Sequence, residues 1–318
     1  LKRFYPTDAL VTAPDIIFFW VARMIMSGLR FMNDVPFSDV YFTSLIRDDQ
    51  GRKLSKSLNN SPDPLDVIHE YGADALRFTV IYLAPIGQDI RYSNEKCKIG
   101  RNFANKIWNA ARFRVHQGVC SKQWATLKGL SQEDLRSDDI WILGRLSDTV
   151  TKANNALDRF RFHEVAHSLY DFVWSEFCDW YLESAKAVLN KAGNDTVAGT
   201  NVLRVFDFVF SHILRLLHPI MPFVTEELYH SLGFVAENES IMLAPWSEPF
   251  SQKELARLGV NDETIRFVQQ KFDLVTAVRN VKASYHVPSK QPVKVILVPR
   301  HKQDSQPMAN DADSLEFL

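Results

Sequence analysis

Apolar positions recur at helical spacing over most of the chain, and only short stretches show the residue choice of a strand. Residues 15–31 follow Pro14 and combine helix formers with an apolar run broken by Arg23, which predicts a helix beginning near Asp15. Val40, Tyr41, Phe42 and Thr43 predict a short strand over residues 40–46. A polar loop over residues 47–60 contains Gly51 and is closed by Pro62 and Pro64, which hand over to helices over 66–71 and 73–83. From about residue 93 the strand signals stop. Helical patterns then cover 95–116, 138–160, 162–189, 200–217, 223–232 and 262–284, with joints at Gly129, Gly193 and the Pro219 and Pro222 pair. Helices of this length and number predict a bundle. Val293, Val295, Ile296, Leu297 and Val298 predict a closing strand, followed by a polar, loose stretch over 300–310.

The chain is therefore expected to be mainly α, in three parts: residues 1–92, a helical part over 93–284, and a short strand with a loose tail over 285–318. Its 318 residues suit about two domains of roughly 150 residues each. With 46% hydrophobic and 24% charged residues, a buried core is expected and disorder is not. A formal net charge of −1 gives no overall attraction to nucleic acid, so any such surface must be a local basic patch. Cys97, Cys120 and Cys178 are odd in number and far apart, which argues against a disulfide framework or a cysteine zinc site and for a reduced, cytoplasmic setting. The apolar run over 16–25 is interrupted by Arg23, and about 20 apolar residues are needed to span a membrane, so no membrane association is expected. The chain opens on Leu1, which predicts a piece of a longer protein.

The densest chemistry lies in the polar loop. Arg52, Lys53 and Lys56 cluster there among Gly51, Ser55 and Ser57. Ammonium groups act as point charges on phosphate oxygens, and serine hydroxyls and backbone N–H groups add donors. The same composition also fits a plain solvated loop.

The run Lys53-Leu54-Ser55-Lys56-Ser57 resembles the Lys-Met-Ser-Lys-Ser signature of class I aminoacyl-tRNA synthetases, with Leu54 keeping the second position apolar. The flanks resemble the valyl branch of that family. Asp15 through Met24, Asp63-Pro64-Leu65-Asp66-Val67-Ile68, Tyr71 through Phe78, Gly87-Gln88-Asp89-Ile90-Arg91, Arg101 through Phe113, and Leu217 through Phe223 all carry it. Isoleucyl relatives have Asp-Gln-His-Arg-Gly-Trp where this chain has Asp15 through Trp20. One departure is Asn59-Asn60, where the family has Gly-Asn. The resemblance implies the C-terminal part of a Rossmann-like catalytic domain over 1–92 and an anticodon-binding helical domain over 93–284. It implies a ligase that activates valine with ATP, taken as its Mg complex, and passes the valyl group to tRNA(Val). Lys53 and Lys56 would be catalytic, with Ser55 and Ser57 also in the ATP site; Asp15 would face the valine ammonium and Trp20 would cover its side chain. Without the resemblance, Asp15 reads as a helix cap and Trp20 as core. The family's other signature, His-x-Gly-His, finds no match among the nine histidines, and no editing domain is recognisable. The chain by itself is thus expected to bind tRNA at most and to make no adenylate. No protein-bound metal is expected.

Lys98, Arg101, Asn102, Asn105, Asn109 and Arg112 fall on one face of a helix whose other face carries Phe103, Ile107 and Ala110. This is an ordinary solvated face or, by the resemblance, a stripe on the tRNA backbone. Arg159 and Arg161 flank Phe160 and Phe162, which would stack on anticodon bases if exposed; Arg279 and Lys282 are a further pair for phosphate. Two rival readings remain. His163-Glu164-Val165-Ala166-His167 matches the His-Glu-x-x-His pattern of zinc peptidases, but a third ligand at a known spacing is lacking, and the face continues as core through Tyr170, Trp174, Phe177 and Tyr181. The other rival is a tRNA-binding module without catalysis, against which the lysine loop argues.

Overall fold

A computed structural model describes residues 3–58, 60–85, 87–120, 125–288, 291–296 and 298, leaving the Lys56 side chain aside. The chain forms two compact units, one of Leu1–Ala104 with Ala153–Ser168, the other of Asn105–Lys152 with Leu169–Leu318.

In the first unit a strand β1 (Thr7–Thr12) runs parallel to β2 (Phe37–Phe42), with Thr7 opposite Phe37 and Val11 opposite Tyr41. Between them come a 3-10 turn (Pro14–Ile16), a π-helical turn (Ile17–Val21) and helix α1 (Ala22–Phe31). A parallel pair needs such a crossover, because a tight turn cannot return the chain in the same direction. The expected strand over 40–46 is split: pairing ends at Phe42, and Ile46–Arg47 forms a separate β3 parallel to β4 (Ile90–Arg91). Helices α2 (Pro64–Tyr71) and α3 (Ala73–Tyr82) follow the polar loop. Asp63 caps α2 by accepting from Leu65 N–H at 2.8 Å, and Pro64 sits at the first helical position, where a missing N–H costs nothing. Helix α4 (Cys97–His116) crosses α3 at Gly100, where a Cβ would stand 2.3 Å from the Ala75 carbonyl oxygen. Val67, Tyr71, Ala75, Ile90, Tyr92 and Cys97 form the core behind the polar loop.

Phe160 and Phe162 are candidates for stacking on bases only if exposed, and the structure leaves them half-covered. Both are half-buried in the first unit and pack on Tyr41, with ring centroids 6.2 and 5.2 Å away. A Phe160 φ of 56° makes the sharp turn that folds its ring inward.

The second unit contains α5 (Ser137–Leu157) as far as Lys152, α7 (Leu182–Ala192), α8 (Val197–Leu217), α9 (Pro222–Ser231), the short α10 (Gln252–Arg257) and α11 (Asp262–Ser284), while α6 (Phe162–Asp171) belongs to the first unit as far as Ser168. A π-helical stretch, Phe172–Tyr181, joins α6 to α7, so the helix expected over 162–189 is continuous but widened in its middle. Helix α8 is the core element, with Val202, Phe206, Val209, Phe210, Ile213 and Leu217 all buried. By length and composition it could cross a membrane, which no apolar run was expected to do; 67% of its apolar window is buried inside the protein.

This core also holds charges. Arg114 donates to both oxygens of Asp207, at 2.6 and 2.7 Å, with neither side chain exposed. Lys271 pairs with Asp138, also out of solvent. Burial works against the Asp138 charge, but Lys271 and Arg136, with hydrogen bonds from Lys271 and Ser184, hold its carboxyl below the usual range. Cys97, Cys120 and Cys178 are free thiols. Where the closing strand was expected from Val293 to Val298, the described residues 292–296 and 298 take part in no ladder, and Val293, Val295, Ile296 and Val298 are exposed. β-branched residues alone do not make a strand without an edge to pair with. The loose stretch expected over 300–310 lies outside the described residues.

Candidate functional site

The lysine loop grows from a tight hairpin. Lys53 forms an isolated antiparallel bridge with Arg47, the Asp48 N–H donates to the Arg52 carbonyl at 2.9 Å, and the Gly51 N–H donates to the Asp48 carbonyl at 2.9 Å. Gly51 has φ +80°, a conformation that costs other residues a steric clash. The Asp48 carboxylate accepts from Gln50 N–H (3.1 Å), Arg52 N–H and Nε (both 2.8 Å) and the Asn60 amide (3.0 Å). These donors, the Asn60 amide foremost, hold its carboxyl down at about 2.

Beyond the hairpin, Ser55 N–H donates to Asn60 Oδ1 at 2.8 Å, and the Ser55 and Ser57 hydroxyls lie 2.6 Å apart. Lys56–Leu58 form one 3-10 turn. Lys53 points away from this frame: its Nζ lies 2.8 Å from Oδ2 of Asp15, on the 3-10 turn ahead of α1. Lys53 is 61% and Asp15 40% exposed at the side chain, so the pair is open to solvent and to ligands. The Lys53 ammonium holds the Asp15 carboxyl below its ordinary value. Trp20, in the π-helical turn, is 59% exposed rather than core. The structure thus brings Asp15 and Lys53 together, and Ser55 and Ser57 together. Sequence reasoning missed Asp48 as the anchor; the signal was a carboxylate opening the Asp48-Asp49-Gln50-Gly51 turn.

The residues expected to meet tRNA divide between the units. Lys98 pairs with Glu95 at 3.2 Å, and Arg101 lies over the Tyr71 ring at 5.4 Å. Arg161 pairs with Glu164 at 3.2 Å, and Arg159 is exposed. These four are in the first unit, and Arg112, also exposed, is in the second. The two faces of α4 fall as expected: Phe103, Ile107 and Ala110 are buried, and Asn102, Asn105, Asn109 and Arg112 are exposed. The His-Glu-x-x-His reading is poorly served by the geometry. His167 Nε2 meets the Tyr82 carbonyl at 3.0 Å and its ring stacks on Tyr82, while Glu164 is turned to Arg161. Phe177 and Tyr181, further along the same helix, are fully buried.

Residues 1–93 match the family described as tRNA synthetases class I (I, L, M and V), and residues 139–297, half of the chain, match the anticodon-binding domain of tRNA ligases. The chain belongs to the class I tRNA synthetases that carry this anticodon-binding domain. Its curated relatives are valine–tRNA ligases. It is 46% identical to that of Thermotoga maritima over 297 residues, covering 93% of this chain and 32% of the relative. To that of Petrotoga mobilis it is 45% identical over 296 residues, with the same two shares, and to that of Chlorobaculum tepidum 42% over 298 residues, covering 91% of this chain and 32% of the relative. The chain therefore spans about a third of the length of these relatives. Its fold is also similar to the crystal structure of the Agrobacterium radiobacter K84 LeuRS–tRNA–LeuAMS ternary complex, with a TM-score of 0.58 at 18% identity over 82% of this chain and 30% of that one. Mainly helical, the chain joins part of a class I catalytic domain to an anticodon-binding bundle.

Proposed function

We propose that the chain is the segment of a valine–tRNA ligase that carries the lysine-loop side of the adenylation site over residues 1–92 and the anticodon-binding bundle over 93–284. The observation that carries this reading is the meeting of Lys53 with Asp15 beside an ordered loop of two serines and Lys56. Asp15 offers a carboxylate to the valine ammonium, and the exposed indole of Trp20 offers an apolar wall to its branched side chain. The valine carboxylate attacks the α-phosphate of ATP, the bond to the β-phosphate breaks, and pyrophosphate leaves as valyl-adenylate forms. Negative charge grows on the leaving group, and Lys53 and Lys56, with donors from Ser55 and Ser57, stabilise it where it develops. ATP enters as its Mg complex. The valyl group then passes to the terminal ribose of tRNA(Val), whose backbone is met by Lys98, Arg101, Arg112, Arg159 and Arg161. The setting is the cytoplasm.

In the full-length ligase containing this segment, Lys56→Ala is expected to lower valine-dependent ATP–pyrophosphate exchange on the order of a hundredfold to a thousandfold while valine binding persists. An unchanged exchange rate overturns the assignment. The chain alone is expected to shift tRNA on a gel in a salt-dependent manner and to show no exchange.

A further inference from the structure

We infer that Asn60, braced by Asp48, is the positioning residue of the lysine loop. The inference rests on the reading of that loop as the pyrophosphate-facing part of the site. The described residues between Lys53 and Asn60 have no strand ladder and one 3-10 turn, so backbone pairing alone does not set the shape of the loop. The Asn60 side chain supplies what is missing. Its Oδ1 accepts from Ser55 N–H at 2.8 Å, and its Nδ2 donates to the Lys53 carbonyl at 3.3 Å and to Asp48 Oδ2 at 3.0 Å. It therefore grips the loop on both sides of Leu54, directly at Lys53 and one residue before Lys56.

Asp48 gives that grip a fixed base. Its carboxylate also accepts three N–H groups of its own hairpin and directly follows β3, which is paired to β4. The path from the sheet to the loop backbone is thus β3, Asp48, Asn60, then Lys53 and Ser55. An asparagine suits this place because it must accept on one side and donate on the other. Aspartate would set two carboxylates face to face, and alanine would remove the contacts to Ser55 N–H and the Lys53 carbonyl.

The test uses the full-length ligase, with valine-dependent ATP–pyrophosphate exchange and thermal unfolding as readouts. Asn60→Ala is expected to lower kcat on the order of tenfold to a hundredfold, the usual cost of misplaced catalytic groups, with an unchanged valine KM and thermal midpoint. Asn60→Asp is expected to fall as far, and Asp48→Asn in the same chain to recover part of the loss, because the exchange rebuilds one carboxylate facing one amide but not the donor to the Lys53 carbonyl. In a Lys56→Ala background, Asn60→Ala is expected to cost less than in the wild type, since part of its effect runs through the group already lost. Wild-type exchange in Asn60→Ala, its full cost persisting without Lys56, or a loss that follows the thermal midpoint each overturns the inference. If Asn60→Ala does not fold, the Asp48→Asn, Asn60→Asp pair decides, recovery supporting the inference and its absence overturning it. Wild-type exchange in Lys56→Ala alone marks a different failure, that of the underlying reading of the loop.

Discussion

Lys53 Nζ lies 2.8 Å from Asp15 Oδ2, joining the polar loop to the 3-10 turn Pro14–Ile16. Exposed ion pairs contribute little to stability, because solvent screens them and both side chains lose freedom. Lys53→Met is therefore expected to leave the thermal midpoint of the full-length ligase unchanged while lowering its valine-dependent exchange on the order of a hundredfold. Asp15→Asn is expected to act on the other substrate, raising the valine KM while the KM for ATP holds. Steady-state exchange with each substrate varied in turn checks both outcomes.

The Lys271 and Asp138 pair makes the opposite prediction. Both side chains are out of solvent, so removing Lys271 takes from the buried Asp138 carboxylate the ammonium paired to it. Lys271→Met is expected to destabilise the bundle by about 3–5 kcal/mol, read from the denaturant midpoint.

Acid acts on the second unit through His212. Burial, helped by the nearby Arg215 charge, pushes its imidazole down to about 3, and the proton on Nδ1 is donated to the Phe208 carbonyl at 2.8 Å. Above the unfolded value of about 6.5 the ring is neutral in both states and has no pH effect. Between that value and about 3 the unfolded chain holds the extra proton, so stability falls as pH falls, by up to about 1.4 kcal/mol per pH unit. Urea unfolding between neutral and mildly acid pH is expected to show this slope, and His212→Gln to flatten it.

Gly100 tests how closely α3 and α4 approach. A methyl group there would meet the Ala75 backbone at 2.3 Å, and backbone cannot swing aside as a side chain can. Gly100→Ala is expected to destabilise by roughly 1–3 kcal/mol, despite alanine's better helix propensity; calorimetry checks it.

The long helices were legible because one apolar face repeats many times, and α11 begins and ends where the pattern predicts. The lysine loop was legible because its chemistry is contiguous in the chain. Its frame was not, since Asp48 and Asn60 meet across a turn whose geometry has no sequence period. Strand β1 went unseen because Thr7, Asp8 and Thr12 are polar, and it exists only by pairing with β2, thirty residues on. No sequence spacing links Arg114 to Asp207, and only the fold brings together two groups 93 positions apart to share one buried site. The surroundings of Phe160 were not legible for a related reason: its partner Tyr41 lies on a strand far away in the chain.

Among the described residues β1 and β2 form a sheet of two strands, and on the connection between them Phe18, Phe19, Trp20 and Phe31 are exposed. Parallel sheets are ordinarily covered on both faces, and bare sheet edges invite pairing between chains. In a preparation of this chain by itself, that surface sets the handling before any chemistry does: the concentration it tolerates, its adhesion to hydrophobic resins, and its appetite for dyes such as ANS.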